Sequence, residues 1–293
     1  MNAQGRPLNR SQTVRGLPDF GRCAVFGVVN VTPDSFSDGG EYYADGDTAK
    51  AVAHGLRLHR HGVDVVDVGG ESTRPGAARV TAEQELDRVL PVIEQLAAAG
   101  VRVSVDTMRA STAAAALDAG AVIVNDVSGG LADPDMFPLA AQAGVPYILM
   151  HWRGHSTDMQ TRAVYDDVVK DVVEELQARF DAALSAGLAE DQVILDPGLG
   201  FAKNADHNWA LLAHLEKLES LGRPLLIAAS RKNFLGRLLA DQGAGIRPPH
   251  GRDAATAALS ALVASAGAWG VRAHDALGSL DAVRVAAALA AAR

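Results

Sequence analysis

The feature that most constrains the fold is a regular alternation between short apolar segments and segments of helical spacing. Eight of the short segments are rich in valine, and most are apolar on both faces, which is typical of strands buried in a parallel sheet. They occupy residues 24–30, 63–69, 101–106, 121–125, 145–150, 192–196, 224–229 and 269–274. Because consecutive parallel strands are joined by crossover helices, the pattern predicts one parallel sheet of eight strands.

The helical segments have recognisable ends. The clearest covers residues 81–99, where Thr81 and Gln84 make a capping box and Gly100 follows the last turn. Residues 168–186 repeat the apolar spacing and are followed by a glycine. The remaining helical stretches are residues 47–61, 111–119, 134–143, 206–221, 233–240, 253–266 and 279–291.

These segments give eight crossover helices, with one extra helix between strands seven and eight. The count predicts an α/β fold, a single (β/α)8 TIM barrel over residues 23–293, which suits a chain of 293 residues. Residues 1–22 are predicted to form a polar N-terminal tail. A doubly wound open sheet is the alternative arrangement of the same elements.

Charge and composition exclude several classes of function. The net charge is −8, whereas a broad nucleic-acid footprint requires a basic surface. Cys23 is the only cysteine, so no internal disulfide and no cysteine-based metal cluster can form. No apolar run is long enough to span a membrane, and residues 1–22 lack the apolar core of a signal peptide. We therefore expect a cytoplasmic protein with no membrane partner.

Polar side chains stand where the predicted strands end. In TIM barrels the active site lies at the C-terminal ends of the strands, so these side chains are expected to converge on one face. A capping role could explain one or two of them, but hardly one at every strand. The strand-end residues are Asn30, Glu71, Asp106, Asn125, Met150 with His151, Asp196, Ser230 with Lys232, and Arg272 with His274.

At these strand ends the chain resembles the dihydropteroate synthase family. The resemblance runs in order from about residue 24 to the C-terminus, and its first two segments are long and unusual. The segments are NVTPDSFSDGG at 30–40, GGESTRPG at 69–76, SVDT at 104–107, NDVSGG at 125–130, DPGLGF at 196–201, SRK at 230–232 and RAH at 272–274.

The resemblance implies a transferase of folate biosynthesis. The expected substrates are 6-hydroxymethyl-7,8-dihydropterin pyrophosphate and p-aminobenzoate, which are condensed to 7,8-dihydropteroate with release of pyrophosphate. The displacement needs no enzyme nucleophile, because the dihydropterin ring can stabilise a cation at its methylene carbon, and the protein has to position the substrates. Sulfonamides, which mimic p-aminobenzoate, are expected inhibitors, and a homodimer is implied.

Five residues are expected to bind the pterin. A pterin edge presents an amino group and a ring N–H together, which one carboxylate can accept, and Asp196 suits that role. Asn125 has both a donor and an acceptor for mixed ring edges. Asp106 is placed to stabilise positive charge on the ring, Lys232 to meet ring acceptors, and Met150 to border the ring.

The remaining site residues are assigned mainly by the resemblance. It implies that Asp106, Lys232, Asp38 and Arg74 are catalytic, with Asp38 and Arg74 in the loops 31–43 and 70–80 that close over the substrates. The p-aminobenzoate pocket would contain Phe36, Thr73, Arg74, Pro75, Phe201 and Ser230. Pyrophosphate would be bound by Asn30, Arg272 and His274, with Asn30 as a ligand of Mg²⁺.

Three observations leave alternatives open. His54, His59 and His61 cluster in one predicted helix, where we expect solvent-facing side chains instead of a metal site. Ala228 stands two residues before Ser230, where the family usually has glycine. The competing functions are the pterin-binding barrel of corrinoid methyltransferases, which needs no pyrophosphate site, and a non-catalytic paralogue that keeps the pocket.

Overall fold

Eight parallel strands form the centre of the molecule. The computed structural model describes residues 13–32, 48–72, 76–77, 79–155, 159–240 and 245–293. The strands are β1 Ala24–Asn30, β2 Val65–Gly69, β3 Val103–Asp106, β4 Ile123–Asp126, β5 Tyr147–Met150, β6 Val193–Asp196, β7 Leu226–Ile227 and β8 Gly270–Ala273. Nearly every strand residue is buried, as the absence of polar alternation in the sequence predicts.

The sheet closes on itself. Its strand order is β6-β5-β4-β3-β2-β1-β8-β7, and all pairs are parallel. The two end strands meet through a parallel bridge between Leu195 and Leu225, where the Leu195 N–H donates to the Pro224 carbonyl at 2.8 Å. The predicted (β/α)8 barrel is confirmed, and the open-sheet alternative is wrong.

Several strands begin about two residues later than the sequence predicts. The backbone N–H groups of Val63, Val101 and Ala121 donate back to the last turn of the preceding helix, at 3.2, 3.0 and 2.9 Å. These residues are buried and apolar like strand residues. Because their N–H groups satisfy helix carbonyls, they end the helix and do not pair with a neighbouring strand.

The helices surround the barrel in the predicted order. They are α1 Thr48–Arg60, α2 Ala82–Ala98, α3 Ala110–Asp118, α4 Met136–Ala143, α5 Val168–Ser185, α6 Ala205–Ala213, α7 Leu215–Glu219, α8 Asn233–Leu238, α9 Asp253–Ala266 and α10 Ala276–Ala291. The capping box of α2 is present, with the Gln84 N–H donating to Thr81 Oγ1 at 3.2 Å. The single helix predicted over 206–221 is two helices, because His214 leaves the helical backbone region. The extra helix before β8 is confirmed by α8 and α9.

The lower half of the barrel interior is apolar. Val14 lies in this cluster, so part of the segment assigned to a polar tail covers the floor of the barrel. Phe20, from the same segment, makes an edge contact with Trp269 at 6.3 Å between ring centroids. The floor cluster consists of Val14, Ala24, Phe26, Val65, Ile123, Ile148, Ile194 and Leu226.

The alternation of side chains along each strand places polar residues in the half of the barrel interior that is nearer the C-terminal ends of the strands. Side chains two residues apart on a strand share a face, so Asp67 stands above Val65 and Asn125 stands above Ile123. Arg272 pairs in register with Phe26. Apolar side chains therefore fill the N-terminal end of the barrel interior, and polar side chains lie at the C-terminal ends of its strands. In the described ranges, no helix is both long and apolar enough to cross a membrane.

Candidate active site

Strand register brings three of the predicted residues into one row. Asn30 pairs with Gly69, Gly69 with Asp106, and Asp106 with Asn125. On the other side of the barrel, Met150 pairs with Asp196. All of these residues stand at or next to the last position of their strands, so they lie at the C-terminal level of the barrel.

An arginine joins two carboxylates at the centre of this level. Arg272 donates from Nε to Asp67 Oδ2 at 2.5 Å and from Nη2 to Asp106 Oδ2 at 2.7 Å. Asn125 Nδ2 donates to the same Asp67 oxygen at 3.1 Å. Because an ionised carboxylate only accepts hydrogen bonds, this contact fixes the Asn125 amide with its Oδ1 left as an acceptor. Asp67 thus orients two residues of the predicted site.

Burial changes the acidity of these groups. Burial raises the pKa of Asp106 to about 7, Arg272 opposes the rise, and the neighbouring Asp67 charge adds to it. For Arg272, burial alone would lower the pKa, but Asp67 and Asp106 outweigh it and raise the pKa further above its usual value. The arginine therefore stays charged, while Asp106 changes its charge near neutral pH.

Asp196 lies on the opposite wall, at the start of a tight turn. Its Oδ1 accepts from the Gly198 N–H at 2.7 Å, and its side chain is buried. Gly198 has φ +66°, and a Cβ there would lie 2.4 Å from the His151 carbonyl oxygen, so the turn requires glycine. Burial raises the pKa of Asp196, and the charge of Lys232 is the largest influence that lowers it.

Lys232 reaches into the site from the loop after β7. Its ammonium donates to the Leu199 carbonyl and lies 4.9 Å from the centroid of the Phe201 ring. Burial lowers the pKa of Lys232 to about 8, and Asp196 opposes this change. Lys232, Asp196 and Phe201 are brought together as the sequence predicts.

An apolar patch borders these polar groups. Met108, Val127 and Met150 are buried together, and Trp152 and Phe201 pack against them. Methionine sulfur atoms and aromatic rings both make favourable contacts with a planar ring. Met150 and Phe201 therefore lie where a bound heterocycle could be covered.

Ser230 and His274 contact each other directly. Ser230 Oγ accepts from the His274 N–H at 3.0 Å and lies 3.2 Å from His274 Nδ1. Burial lowers the pKa of His274 well below its usual value, and the charge of Arg272 adds to this, so His274 is neutral at pH 7. Ser230 does not cap the following helix, whose N-cap is Lys232.

Arg231, between two site residues, is directed away from the site. It has φ +57°, an uncommon value for a residue with a side chain. Its guanidinium pairs with Asp253 of α9 at 2.7 and 2.8 Å, and its carbonyl accepts from Arg252 at 2.6 Å. This anchoring lets the neighbours Ser230 and Lys232 face the barrel.

Five predicted site residues lie outside the described ranges: Phe36, Asp38, Thr73, Arg74 and Pro75. The loop after β2 is described on both sides of residues 73–75. Glu71, on the near side, binds Arg109 at 2.6 Å and Arg79 at 3.0 Å. Arg109 also binds the buried Glu85 of α2 at 2.6 Å, so this network ties the base of the loop to the barrel.

The prediction of solvent-facing histidines is wrong for His54. His54 is 6% exposed and lies 2.9 Å from Arg57 Nη2, and burial followed by that charge lowers its pKa to about 4. It shares the inner face of α1 with Ala51, Gly55 and Leu58, at helical spacing. His59 and His61 are exposed, as expected. Within the described ranges, no three His, Cys, Asp or Glu side chains are grouped to hold a metal ion.

Asp67 contacts two predicted site residues but was not itself predicted from the sequence. It lies inside the apolar segment 63–69, whereas the predicted site residues lie at strand ends. A carboxylate in a strand that is buried on both faces was the available signal, since such a group requires a partner. Lys203, also buried, was missed because it follows the DPGLGF segment.

Comparisons with known proteins agree with this geometry. The family model described as "Pterin binding enzyme" matches residues 26–274. The dihydropteroate synthase of Mycobacterium leprae is 55% identical over 265 residues, which cover 90% of this chain and 92% of that protein. The structure of the Yersinia pestis dihydropteroate synthase with a sulfonamide drug complex superposes with a TM-score of 0.88 at 40% identity, covering 95% and 98% of the two chains. The Xanthomonas albilineans dihydropteroate synthase in complex with 7,8-dihydropteroate gives a TM-score of 0.78 at 41% identity, covering 92% and 94%.

A closed parallel barrel with this strand-end site and this family match defines a pterin-binding enzyme. Its relatives place it more narrowly: the chain belongs to the dihydropteroate synthase family, the transferases of folate biosynthesis. The resemblance seen in the sequence is thereby confirmed.

Proposed function

We propose that the strand-end site joins dihydropterin pyrophosphate to p-aminobenzoate and releases pyrophosphate. The observation that carries this proposal is the convergence of Asp106, Asn125, Asp196 and Lys232 at the C-terminal end of the barrel, with Arg272 hydrogen-bonded to two carboxylates. The set combines a carboxylate that can accept hydrogen bonds from a pterin edge with charged groups that can stabilise a developing cation. A methyl-transfer barrel would need the first feature but has no use for a pyrophosphate site.

The pterin binds between the walls of the barrel. Asp196 accepts hydrogen bonds from its amino group and ring N–H, while Asn125 offers Oδ1 as an acceptor because its Nδ2 is bonded to Asp67. Lys232 meets a ring acceptor. Met150 belongs to the apolar patch that covers the flat ring. Ala228, which is buried directly after β7, adds one methyl group relative to the glycine that is usual in the family.

The reaction breaks the bond between the methylene carbon and the pyrophosphate oxygen, and pyrophosphate leaves with the electron pair. Positive charge then spreads from the methylene carbon into the dihydropterin ring. Asp106, held by Arg272 at 2.7 Å, supplies compensating negative charge when it is ionised. The p-aminobenzoate nitrogen bonds to the methylene carbon and loses one proton. No protein nucleophile takes part.

Pyrophosphate binds at the side of the barrel where β1 and β8 end. Arg272 contributes a permanent positive charge, and neutral His274 and the Asn30 amide contribute polar contacts. Among the described residues of this site, the cations do not outnumber the carboxylates. The cations are Arg272, Lys232 and Lys203, and the carboxylates include Asp67, Asp106 and Asp196.

Because pyrophosphate would add negative charge to this site, a metal cation that arrives with the substrate would balance it. Mg²⁺ binds few protein ligands and keeps waters and substrate phosphates as its other ligands, so a single protein oxygen, that of Asn30, is suitable. It does not need a group of three His, Cys, Asp or Glu side chains, which the described ranges do not contain. When bound, Mg²⁺ would neutralise charge on the departing pyrophosphate. Asp38 and Arg74, outside the described ranges, are proposed to act beside it.

We place p-aminobenzoate beside Phe201 and Ser230. Phe201 lies under Lys232 and offers its ring to the benzoate, and Ser230 offers a hydroxyl to the carboxylate in exchange for its contact with His274. Phe36, Thr73, Arg74 and Pro75 are proposed to complete this pocket. Sulfonamides, which carry the same aniline group, are proposed to bind there, in line with the sulfonamide complex of the Yersinia pestis relative.

The chain is further proposed to be a cytoplasmic homodimer. The last two long helices expose large apolar side chains: Leu262 on α9 is 67% exposed, and Val285 and Leu289 on α10 are 58% and 60% exposed. Exposed apolar side chains on adjacent helices favour a protein interface. Sedimentation of the wild type and of Leu262→Lys tests this, and a monomeric wild type would contradict it.

The activity is tested by pyrophosphate release from the purified protein. The assay contains Mg²⁺, dihydropterin pyrophosphate and p-aminobenzoate, and each substrate is omitted in turn. Release is expected to require both substrates and to be lost in Lys232→Ala. The matched control is Lys170→Ala, which removes a lysine that is 67% exposed on α5. Pterin binding without release would support the non-catalytic alternative.

A further inference from the structure

A buried lysine outside the proposed reaction lies directly behind the pterin-reading carboxylate. Lys203 is 3% exposed, and its Nζ is surrounded by three acceptors. These are His151 Nδ1 at 2.9 Å, the Gly198 carbonyl at 3.1 Å and the Phe201 carbonyl at 3.1 Å. No step proposed above uses this side chain.

The contacts determine the protonation of the group. Three acceptors match the three N–H bonds of an ammonium, whereas a neutral amine has only two. Because His151 Nδ1 accepts, its Nε2 carries the proton and donates to Glu175 Oε2 at 2.9 Å. Burial, followed by the charge of Lys203, lowers the pKa of His151 to about 4, in agreement with this neutral tautomer.

The contacts from Lys203 through His151 end at the ionised carboxylate of Glu175. Burial opposes ionisation of Glu175, but hydrogen bonds from His151 and Arg153 lower its pKa to about 2. Arg153 Nε donates to Glu175 Oε2 at 3.0 Å and its guanidinium lies 3.8 Å from the Tyr165 ring centroid. The ammonium of Lys203 therefore lies between two carboxylates, those of Glu175 and Asp196.

Gly198 transmits the position of Lys203 to Asp196. The Gly198 carbonyl accepts from Lys203, and its N–H donates to Asp196 Oδ1 at 2.7 Å. The His151 N–H donates to the Asp196 carbonyl at 2.9 Å, so both partners hold the same residue. The turn has little freedom to adjust, because the His151 carbonyl oxygen lies where a Cβ of Gly198 would be.

We propose that Lys203 is a positioning residue for pterin recognition, which clamps the 196–201 turn and keeps the Asp196 carboxylate ionised. This inference rests on the role of Asp196 proposed above. Burial raises the pKa of Asp196, and Lys232, the Gly198 N–H, Arg272 and Lys203 lower it.

Other charged groups also act on the clamp. Burial lowers the pKa of Lys203 well below its usual value, and Lys232 adds to this effect. The groups that face Lys203 are Lys232, Asp196, Arg153, Glu175 and His151, with Tyr165 and His207 at the edge. The clamp therefore depends on a balance of charges, and removal of the lysine charge has a pH-dependent consequence.

The test compares pterin binding by calorimetry between pH 5 and pH 9 for the wild type, Lys203→Met and Lys203→Arg. Loss of the lysine charge is expected to move the acidic loss of binding to higher pH, with binding about tenfold weaker at pH 7 and closer to the wild type at pH 9. Lys203→Arg keeps the charge, so its binding is expected to decline at the wild-type pH. Lys170→Met, which removes an exposed lysine, is the matched control.

The outcomes separate this inference from the proposed function. A Lys203→Met variant that binds more weakly by the same factor at every pH has only a structural defect, and the inference is overturned. If that variant does not fold, ¹⁵N NMR of labelled wild type, assigned with Lys203→Arg, decides: an ammonium at pH 7 supports the inference and a neutral amine overturns it. A wild type that does not bind pterin removes the proposed function together with the inference.

Discussion

Replacement of Asp67 by asparagine is the perturbation that best separates charge from shape in the barrel. The asparagine side chain would have the same shape and could still accept from Arg272 and Asn125 through its oxygen. It would remove the like charge that helps to raise the pKa of Asp106 to about 7. It would also leave Arg272 to pair with Asp106 alone.

The magnitude follows from the shared guanidinium. Two carboxylates bound to one guanidinium are about 5 Å apart, which at an effective dielectric constant of about 20 corresponds to about 3 kcal/mol, or about two pH units. Asp106 has to be ionised to stabilise the cation, so kcat/KM of the wild type should fall as the pH drops through about 7. In Asp67→Asn this acidic limb should move to lower pH, by up to about two pH units.

The assay is the pH profile of kcat/KM for dihydropterin pyrophosphate, with p-aminobenzoate saturating. Asp281→Asn is the matched control, because it removes one negative charge from a side chain that is 80% exposed. The control profile should coincide with the wild type. If Asp67→Asn lowers the rate while its acidic limb stays at the wild-type pH, or if the limb moves to higher pH, the charge of Asp67 does not control the ionisation of Asp106.

Three further predictions test single contacts. Asp196→Asn should weaken pterin binding by about 1.5–3 kcal/mol, the range for a hydrogen bond to a charged group, and an unchanged affinity in calorimetry contradicts the assignment. Gly198→Ala should reduce the free energy of unfolding in urea by more than Gly144→Ala, because both have positive φ but only at 198 is there a backbone oxygen in the way. Val14→Ala should cost about 1–3 kcal/mol in the same experiment, whereas Val164→Ala, 75% exposed, should cost almost nothing, and equal costs would place Val14 outside the floor.

The barrel was predictable because its signals are local. Valine-rich segments, capping boxes and glycines after helices each depend on a few neighbouring residues, and they recur along the chain. The strand starts were less predictable, because Val63 and Val101 are apolar but donate to helix carbonyls. The floor contact of Val14 was hidden by the polar residues around it, since burial of one side chain depends on where the whole segment lies.

The site residues at the strand ends were predictable from the sequence, whereas those inside a strand or in a later loop were not. Asp106, Asn125 and Asp196 could be placed from the sequence because parallel strands end at one edge. The Asp67–Arg272 pair joins residues 205 positions apart, and no local pattern predicts such a contact. The Lys203–His151 contact also depends on how two loops fold against each other, across 52 positions.

In the proposed reaction this barrel transfers the pterin methylene from pyrophosphate to p-aminobenzoate, with no covalent intermediate on the protein. A rapid-quench single turnover with dihydropterin pyrophosphate deuterated at the methylene carbon tests it most directly. For such a transfer we expect one pyrophosphate and one dihydropteroate per active site, a normal secondary isotope effect, and unchanged protein mass when p-aminobenzoate is omitted. Pyrophosphate release without p-aminobenzoate, together with a protein mass increased by one pterin, would contradict it.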